Sequence, residues 1–156
     1  MKRFAFSLER VLEYRKQLEL DRQLAFAKAA DVFRRREDEL RRLADELGSY
    51  RTRLAQMGTG RLSTRDLALY RSYLTHLEFQ VARAIEWLSD ASRELERRRE
   101  ALAAATKDRQ VLGKLKEVQR ADYDYQAGRQ ETKDLDEIGA ALVQSERAAS
   151  ASEGRE

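Results

Sequence analysis

The sequence predicts an all-α fold in which two long helices pair as an antiparallel coiled-coil hairpin, the second helix longer than the first. The 156 residues contain no proline, so no residue inside the chain forces a helix to end. The hydrophobic content of 42% comes mostly from Ala and Leu, which favour helices over strands. Apolar residues also recur at alternating steps of three and four, and this average spacing of 3.5 is typical of a coiled coil.

The first helix is predicted from about residue 5 to residue 57. Its apolar residues at these steps form one line along the helix, here called the seam. One charged residue, Arg36, interrupts the seam, and the pattern weakens upstream at Glu19 and Arg22. The seam positions are Phe26, Ala29, Phe33, Arg36, Leu40, Leu43, Leu47, Tyr50, Leu54 and Met57. We expect these side chains to face the second helix.

Two glycines predict a chain reversal at residues 58–62. Gly58 and Gly60 permit a tight turn, and Ser63 or Thr64 can cap the helix that follows. That second helix is predicted from about residue 63 to residue 145, and twelve of its fourteen seam positions between Leu67 and Leu112 are apolar. These positions are Leu67, Tyr70, Leu74, Leu77, Val81, Ala84, Leu88, Ala91, Leu95, Arg98, Leu102, Ala105, Arg109 and Leu112.

The two seams fit a single antiparallel register. Opposed seam residues have numbers that add to 124, so that Leu54 faces Tyr70. Toward the termini the same register brings Arg15 against Arg109. Because like charges repel, we expect this end of the hairpin to be looser.

The second helix is predicted to extend beyond its partner. In the same register Met1 faces Tyr123, so the helix after Tyr123 has no opposite strand. Its apolar residues Leu135, Ile138 and Leu142 therefore stay uncovered, and a binding partner could cover them. Residues 146–156 are small and polar and predict a frayed or disordered tail, which leaves residues 1–145 as a single hairpin domain.

The residue types argue against catalysis and against bound cofactors or metals. The chain has no Cys and one His, His76, so a metal site would need carboxylates alone, and His76 is interpreted as a surface residue. The clustered glycines at the turn do not form a phosphate-binding loop. A two-helix hairpin also lacks the desolvated cleft in which paired carboxylates separate their pKa values. We therefore predict no catalytic, cofactor-binding or metal site.

The charge pattern argues against nucleic-acid binding and membrane insertion. The net charge is only +3, and the arginine runs at 34–36 and 97–99 are flanked by acids, as on a solvated helix face. No stretch of about 18 apolar residues exists that would predict a transmembrane segment. The absence of Cys fits a reducing compartment, and the cytoplasm is the simplest location.

Three aromatic residues lie beside the seam near the turn: Tyr73, Phe79 and Trp87. A two-stranded coiled coil cannot hide them fully. They can cap the seam, or they can form a contact patch for a partner protein, since aromatic residues concentrate in interfaces. Both interpretations remain open from the sequence.

Three segments together resemble the FliJ family, the coiled-coil component of the bacterial flagellar type III export apparatus. The first runs from Phe4 to Leu8 and continues with Val11, Leu12 and Arg15. The second comprises Tyr50, Arg51, the glycine turn and residues 67–77, and the third is residues 133–138. The order and spacing of these segments, across nearly the whole chain, carry the resemblance.

The resemblance implies a stalk similar to the central subunit of rotary F-type ATPases, with both termini in the pore of the hexameric export ATPase FliI. The residues it assigns to this ATPase ring are Phe4, Phe6, Leu8, Leu12, Arg15, Leu135, Asp136 and Ile138. It also implies binding to the export-gate protein FlhA and the escort of export chaperones. The residues assigned to the gate are Leu43, Tyr50, Tyr73 and Leu77.

Such a protein is expected in the cytoplasm, peripheral at the cytoplasmic face of the inner membrane at the flagellar base. Among the gate-facing residues only Tyr73 lies off the seam, so its replacement is expected to leave hairpin stability nearly unchanged. Two alternatives are the equivalent stalk of a virulence injectisome and, from a different class, a non-specific arginine-rich nucleic-acid binder.

Overall fold

Two long helices make up almost all of the structure. The computed structural model describes residues 4–57 and 63–153, with side chains as far as residue 145. Helix α1 spans Glu9–Met57 and helix α2 spans Thr64–Glu153, and no strand occurs in these ranges. The all-α class, the pairing of two helices and the greater length of the second are therefore confirmed. The predicted turn at residues 58–62 lies outside the described residues.

The chain divides into two compact units. The hairpin unit comprises Arg15–Lys107, and the terminal unit comprises the described residues up to Tyr14 together with those from Asp108 onward.

The core of the hairpin unit is the predicted seam. Every seam residue from Phe26 to Leu54 and from Leu67 to Ala105 is buried or half-buried, while Met57 is exposed. Leu77 is the most deeply buried large side chain, with 1% of its surface exposed. Leu43, Leu47, Ala84, Ala91 and Ala105 complete the buried part of this core. Such a narrow core is expected of two helices that supercoil about one seam.

Contacts between the helices of the hairpin unit agree with the predicted antiparallel register. The register places Tyr50 opposite Leu74, and the Tyr50 ring lies 4.7 Å from the ring of Tyr73 and 6.0 Å from that of Tyr70. Next to them, Arg51 Nη2 lies 2.6 Å from Glu78 Oε1. The later part of α1 thus packs against the earlier part of α2.

Ser63 fixes the start of α2. Its hydroxyl accepts a hydrogen bond from the Asp66 backbone N–H at 3.2 Å and donates one to Asp66 Oδ2 at 2.8 Å. Its carbonyl accepts the first backbone bond of the helix, from Leu67 N–H at 3.1 Å. Of the two predicted capping residues, Ser63 therefore caps the helix, and Asp66 supplies a carboxylate to the positive helix end.

The terminal unit begins with a segment that is not helical. Helix α1 starts at Glu9 and not near residue 5, and Phe4–Phe6 have no regular structure. An extended segment covers at most about 3.3–3.6 Å per residue, against about 1.5 Å in a helix, so it reaches further along α2. Accordingly, Tyr123 packs against Phe4, with ring centroids 5.6 Å apart. The predicted register placed Tyr123 opposite Met1, which lies outside the described residues.

Helix α2 continues well past the predicted end at residue 145. It reaches Glu153, so residues 146–153 of the predicted tail are helical, and residues 154–156 lie outside the described range. The segment is rich in alanine, which has the highest intrinsic helix propensity.

Candidate partner-binding surfaces

The described part of the chain offers surfaces and no enclosed centre. Within residues 4–57 and 63–145, no polar or charged side chain is buried and no group of three or more His, Asp or Glu side chains could hold a metal ion. His76 is exposed, 6.5 Å from the Tyr73 ring. None of the described helices has a stretch long and apolar enough to cross a membrane.

One candidate surface is an open groove of about 370 Å³ in the hairpin unit, here called the turn-side groove. It presents two large aromatic side chains, Phe79 and Trp87, with 58% and 38% of their surfaces exposed. Its full lining is Glu39, Arg42, Leu43, Glu46, His76, Phe79, Gln80, Arg83 and Trp87. Aromatic rings beside charges of both signs suit contact with another protein.

Two guanidinium groups contact the Trp87 ring. The Arg36 guanidinium lies 4.8 Å from the Trp87 ring and that of Arg83 lies 5.1 Å from it. Arg83 also lies 5.8 Å from the Phe79 ring. Each such cation–π contact contributes about 0.5–1 kcal/mol at an exposed site. Trp87 thus keeps an exposed face beside the seam, and its contact with a partner protein stays a prediction.

The sequence did not identify Arg83 as part of the turn-side groove or Arg36 as a contact of the Trp87 ring. A signal for Arg83 was present, because Phe79, Arg83 and Trp87 follow one another at steps of four and therefore share a helix face. Arg36 was noted only as a charged interruption of the seam. Its guanidinium leaves the seam to contact Glu39 Oε2 at 3.0 Å.

Tyr73 contributes to helix pairing, which corrects the expectation that it acts independently of hairpin stability. Its hydroxyl donates a hydrogen bond to Glu46 Oε1 at 2.7 Å, and its ring packs edge-on against Tyr50. The bond to Glu46 raises the pKa of the Tyr73 phenol, with desolvation as a second cause. Desolvation is the main cause that raises the pKa of Tyr50. Still, 41% of the Tyr73 side chain is exposed.

The other predicted gate-facing residues lie mostly inside the hairpin unit. Leu43 and Leu77 have 6% and 1% of their surfaces exposed, and Tyr50 is half-buried. Leu43 and Leu77 therefore support the surface from within the core, and replacing them would loosen the helices. Their role in binding stays a prediction.

The predicted ring-binding residues near the N-terminus pack onto α2. In the terminal unit Phe6 and Leu12 are buried, with 7% and 4% exposed, and Phe4 and Leu8 are half-buried. The sequence analysis missed Lys116. Its ammonium group lies 2.6 Å from Glu9 Oε2 and 6.0 Å from the Phe6 ring, and so fixes the start of α1.

Arginines 15 and 109, expected to oppose each other, are both half-buried, and each has an interaction partner. Arg15 belongs to the hairpin unit and Arg109 to the terminal unit. The looser end expected there stays a prediction.

The remaining predicted ring-binding residues lie on an uncovered segment of the terminal unit, residues 124–145. Every described side chain in this segment except Ala127 is exposed, including Asp136. Leu135, Ile138 and Leu142 expose 68%, 58% and 60% of their surfaces. Leu135 lies twelve residues beyond Tyr123, about 18 Å along the helix at about 1.5 Å per residue. Phe4 and Leu135 therefore do not form one surface.

These features define a class: two-helix coiled-coil proteins that present exposed aromatic and apolar surfaces. A family model described as flagellar FliJ protein matches residues 4–148. The chain therefore belongs to the FliJ family, whose members are non-catalytic components of type III export. A search of curated proteins finds no match.

A solved structure supports the fold. It is that of a protein from Chlamydia trachomatis described as a YscO homologue, with a TM-score of 0.57 and 19% sequence identity. The match covers 93% of this chain and 98% of the chlamydial chain. The similarity thus extends over nearly the full length of both.

Proposed function

We propose that the chain is the central stalk and tether of a flagellar export apparatus. In this role it binds and activates the hexameric export ATPase FliI, links it to the gate protein FlhA and escorts export chaperones. The observation that carries the proposal is the uncovered segment of α2, in which apolar side chains at coiled-coil spacing are more than half exposed. Family membership supports the type of apparatus.

The uncovered segment is the proposed contact with the ATPase. Burial of apolar surface contributes about 25 cal/mol per Å² before the entropic costs of association, and Leu135, Ile138 and Leu142 are all more than half exposed. Asp136 lies beside them. Phe4, Phe6, Leu8 and Leu12 then act mainly by fixing the N-terminal segment on α2, and Arg15 is kept as a proposed ring contact.

The turn-side groove, together with Tyr50 and Tyr73, is the proposed contact with FlhA. Phe79 and Trp87 add exposed aromatic surface to the residues that the family resemblance assigns. Binding there would hold the chain peripherally at the cytoplasmic face of the inner membrane.

A direct binding experiment tests the ATPase role. Purified chain and FliI are mixed at physiological salt, and complex formation is measured by pull-down and titration. We expect the unaltered chain to bind, and we expect Ile138→Ser to weaken this binding while Val118→Ser does not. The two residues are matched in exposure, at 58% and 59%, but only Ile138 lies on the uncovered segment. Absence of binding by the unaltered chain would contradict the proposed role.

The stalk of a virulence injectisome is a second candidate. It is favoured by the fold similarity to the chlamydial protein described as a YscO homologue. The genes that neighbour the coding sequence distinguish the two: flagellar genes support the first proposal and injectisome genes the second.

Non-specific nucleic-acid binding has little support from the structure. Five of the six arginines in the two basic runs pair with carboxylates of their own helix, at distances from 2.7 to 3.7 Å. The five are Arg34, Arg36, Arg97, Arg98 and Arg99. An affinity for DNA that survives only at low salt would show non-specific binding.

A further inference from the structure

The uncovered segment differs in charge from the chain as a whole. Residues 124–145 carry five carboxylates and two cations, a net charge of −3, whereas the full chain carries +3. The cations are Arg129 and Lys133, and the carboxylates are Asp124, Glu131, Asp134, Asp136 and Glu137. This exposed segment of a slightly basic protein is therefore acidic.

The charges of this segment are also sorted by helix face. With about 3.6 residues per turn, the carboxylates Asp124, Glu131 and Asp134 fall on the same side as Leu135, Ile138 and Leu142. These six residues are here called the acidic apolar face. Arg129 and Lys133 fall on the opposite side, together with Glu137. The acidic apolar face thus combines three carboxylates with three large apolar side chains and carries no cation.

The side chains of this face are available to a partner. Asp134 accepts a hydrogen bond from Gln130 Nε2 at 2.8 Å, and Asp124 Oδ2 lies 3.9 Å from Arg120 Nε. Glu131 makes no ion pair with any residue in the described part of the chain. The carboxylates therefore keep most of their capacity to accept hydrogen bonds from another molecule.

We propose that the acidic apolar face docks against a protein surface that is apolar at its centre and rimmed by Lys or Arg. This proposal rests on the proposed function, in which that surface belongs to the export ATPase. Apolar residues at positions 135, 138 and 142 recur at steps of three and four, so the face presents a short coiled-coil seam to its partner. A second copy of this chain fits less well, because two segments that each carry −3 repel one another.

Charge reversal on opposite faces of one helix tests the proposal. Glu131→Lys alters the acidic apolar face, and Glu137→Lys makes the same change in net charge on the other side. Both residues are exposed, and Lys and Glu have similar helix propensities, so the helix is retained and circular dichroism verifies this. Affinity for the purified FliI hexamer is measured for the full-length chain and both variants at two salt concentrations.

We expect Glu131→Lys to weaken binding by about tenfold or more and Glu137→Lys by less than about twofold. The affinity of the unaltered chain should also fall more steeply with salt than that of Glu131→Lys. If the unaltered chain binds FliI and the two variants lose affinity equally, the proposed basic rim is overturned and the stalk proposal stands. No binding by the unaltered chain would overturn both.

Sedimentation of the free chain tests whether a second copy of the chain covers the acidic apolar face. A monomer is the expected result. A dimer that Ile138→Ser dissociates would show that a second copy covers the face and would overturn the proposal.

Discussion

Leu77 shows how much a single seam residue contributes to the pairing of the helices. Only 1% of its surface is exposed, whereas Leu69, eight residues earlier on the same helix, exposes 65%. We expect Leu77→Ala to lower the free energy of unfolding by about 2–5 kcal/mol, because it leaves a cavity in a narrow core. Leu69→Ala should change it by no more than about 0.5 kcal/mol. Urea unfolding followed by circular dichroism measures the free energy of unfolding of both variants. Equal losses of stability would contradict the assignment of Leu77 to the seam.

Because of Tyr73, the stability of the hairpin varies with pH in the alkaline range. Its hydrogen bond to Glu46 raises the pKa of the phenol above the unfolded value of 10.0. The folded state therefore holds the proton more tightly. The resulting stabilisation is fully present below the unfolded pKa and is lost as the pH rises through the folded pKa.

The difference in melting temperature between the unaltered chain and Tyr73→Phe should accordingly shrink between about pH 8 and about pH 11. Tyr125→Phe is the control, because Tyr125 is 66% exposed and its ring lies 5.9 Å from the guanidinium of Arg129 on its own helix. A difference that stays constant across this range would rule out the hydrogen bond as its source.

The sequence predicted which residues form the core but not the lateral contacts around it. Seam positions follow from helical periodicity alone, and those in the hairpin unit except Met57 are buried or half-buried. The bond from Tyr73 to Glu46 and the contacts of the Trp87 ring with Arg36 and Arg83 depend on side-chain rotamers. Periodicity does not encode rotamers, so these contacts required the structure.

At the scale of the helices, Ser63 stabilises the start of α2. Loss of its hydroxyl removes the bond to the Asp66 N–H, so Ser63→Ala should destabilise the chain by about 0.5–2 kcal/mol. Ser72→Ala, an exposed change inside the same helix, should be neutral or slightly stabilising, since alanine has the higher helix propensity. Chemical unfolding of both variants tests this, and a cap variant as stable as the unaltered chain would exclude the capping role.

The ends of the helices show where sequence reasoning about elements fails. The apolar residues Phe4, Phe6 and Leu8 gave no sign that the chain before Glu9 is not helical, because the segment is held by Tyr123 and Lys116 far along the sequence. At the other end, small polar residues suggested a tail, but alanine and glutamate are compatible with a helix, and α2 continues to Glu153.

For the molecule as a whole, family membership and surface chemistry lead to the same functional class. The chain belongs to the FliJ family, whose members are components of type III export. Its exposed features are the turn-side groove in the hairpin unit and the uncovered segment in the terminal unit. We infer that partner binding at these surfaces is the function, with the gate protein assigned to the first and the ATPase to the second.

The ATPase rate of FliI, measured with the full-length chain and with a chain truncated after Tyr123, tests this account most directly. The truncation keeps Phe4, Lys116 and Tyr123, so the helices should still pair and melt cooperatively. We expect the full-length chain to raise the rate and the truncated chain to leave it at the level of FliI alone. Equal stimulation by a folded truncated chain would contradict the assignment of the uncovered segment to the ATPase.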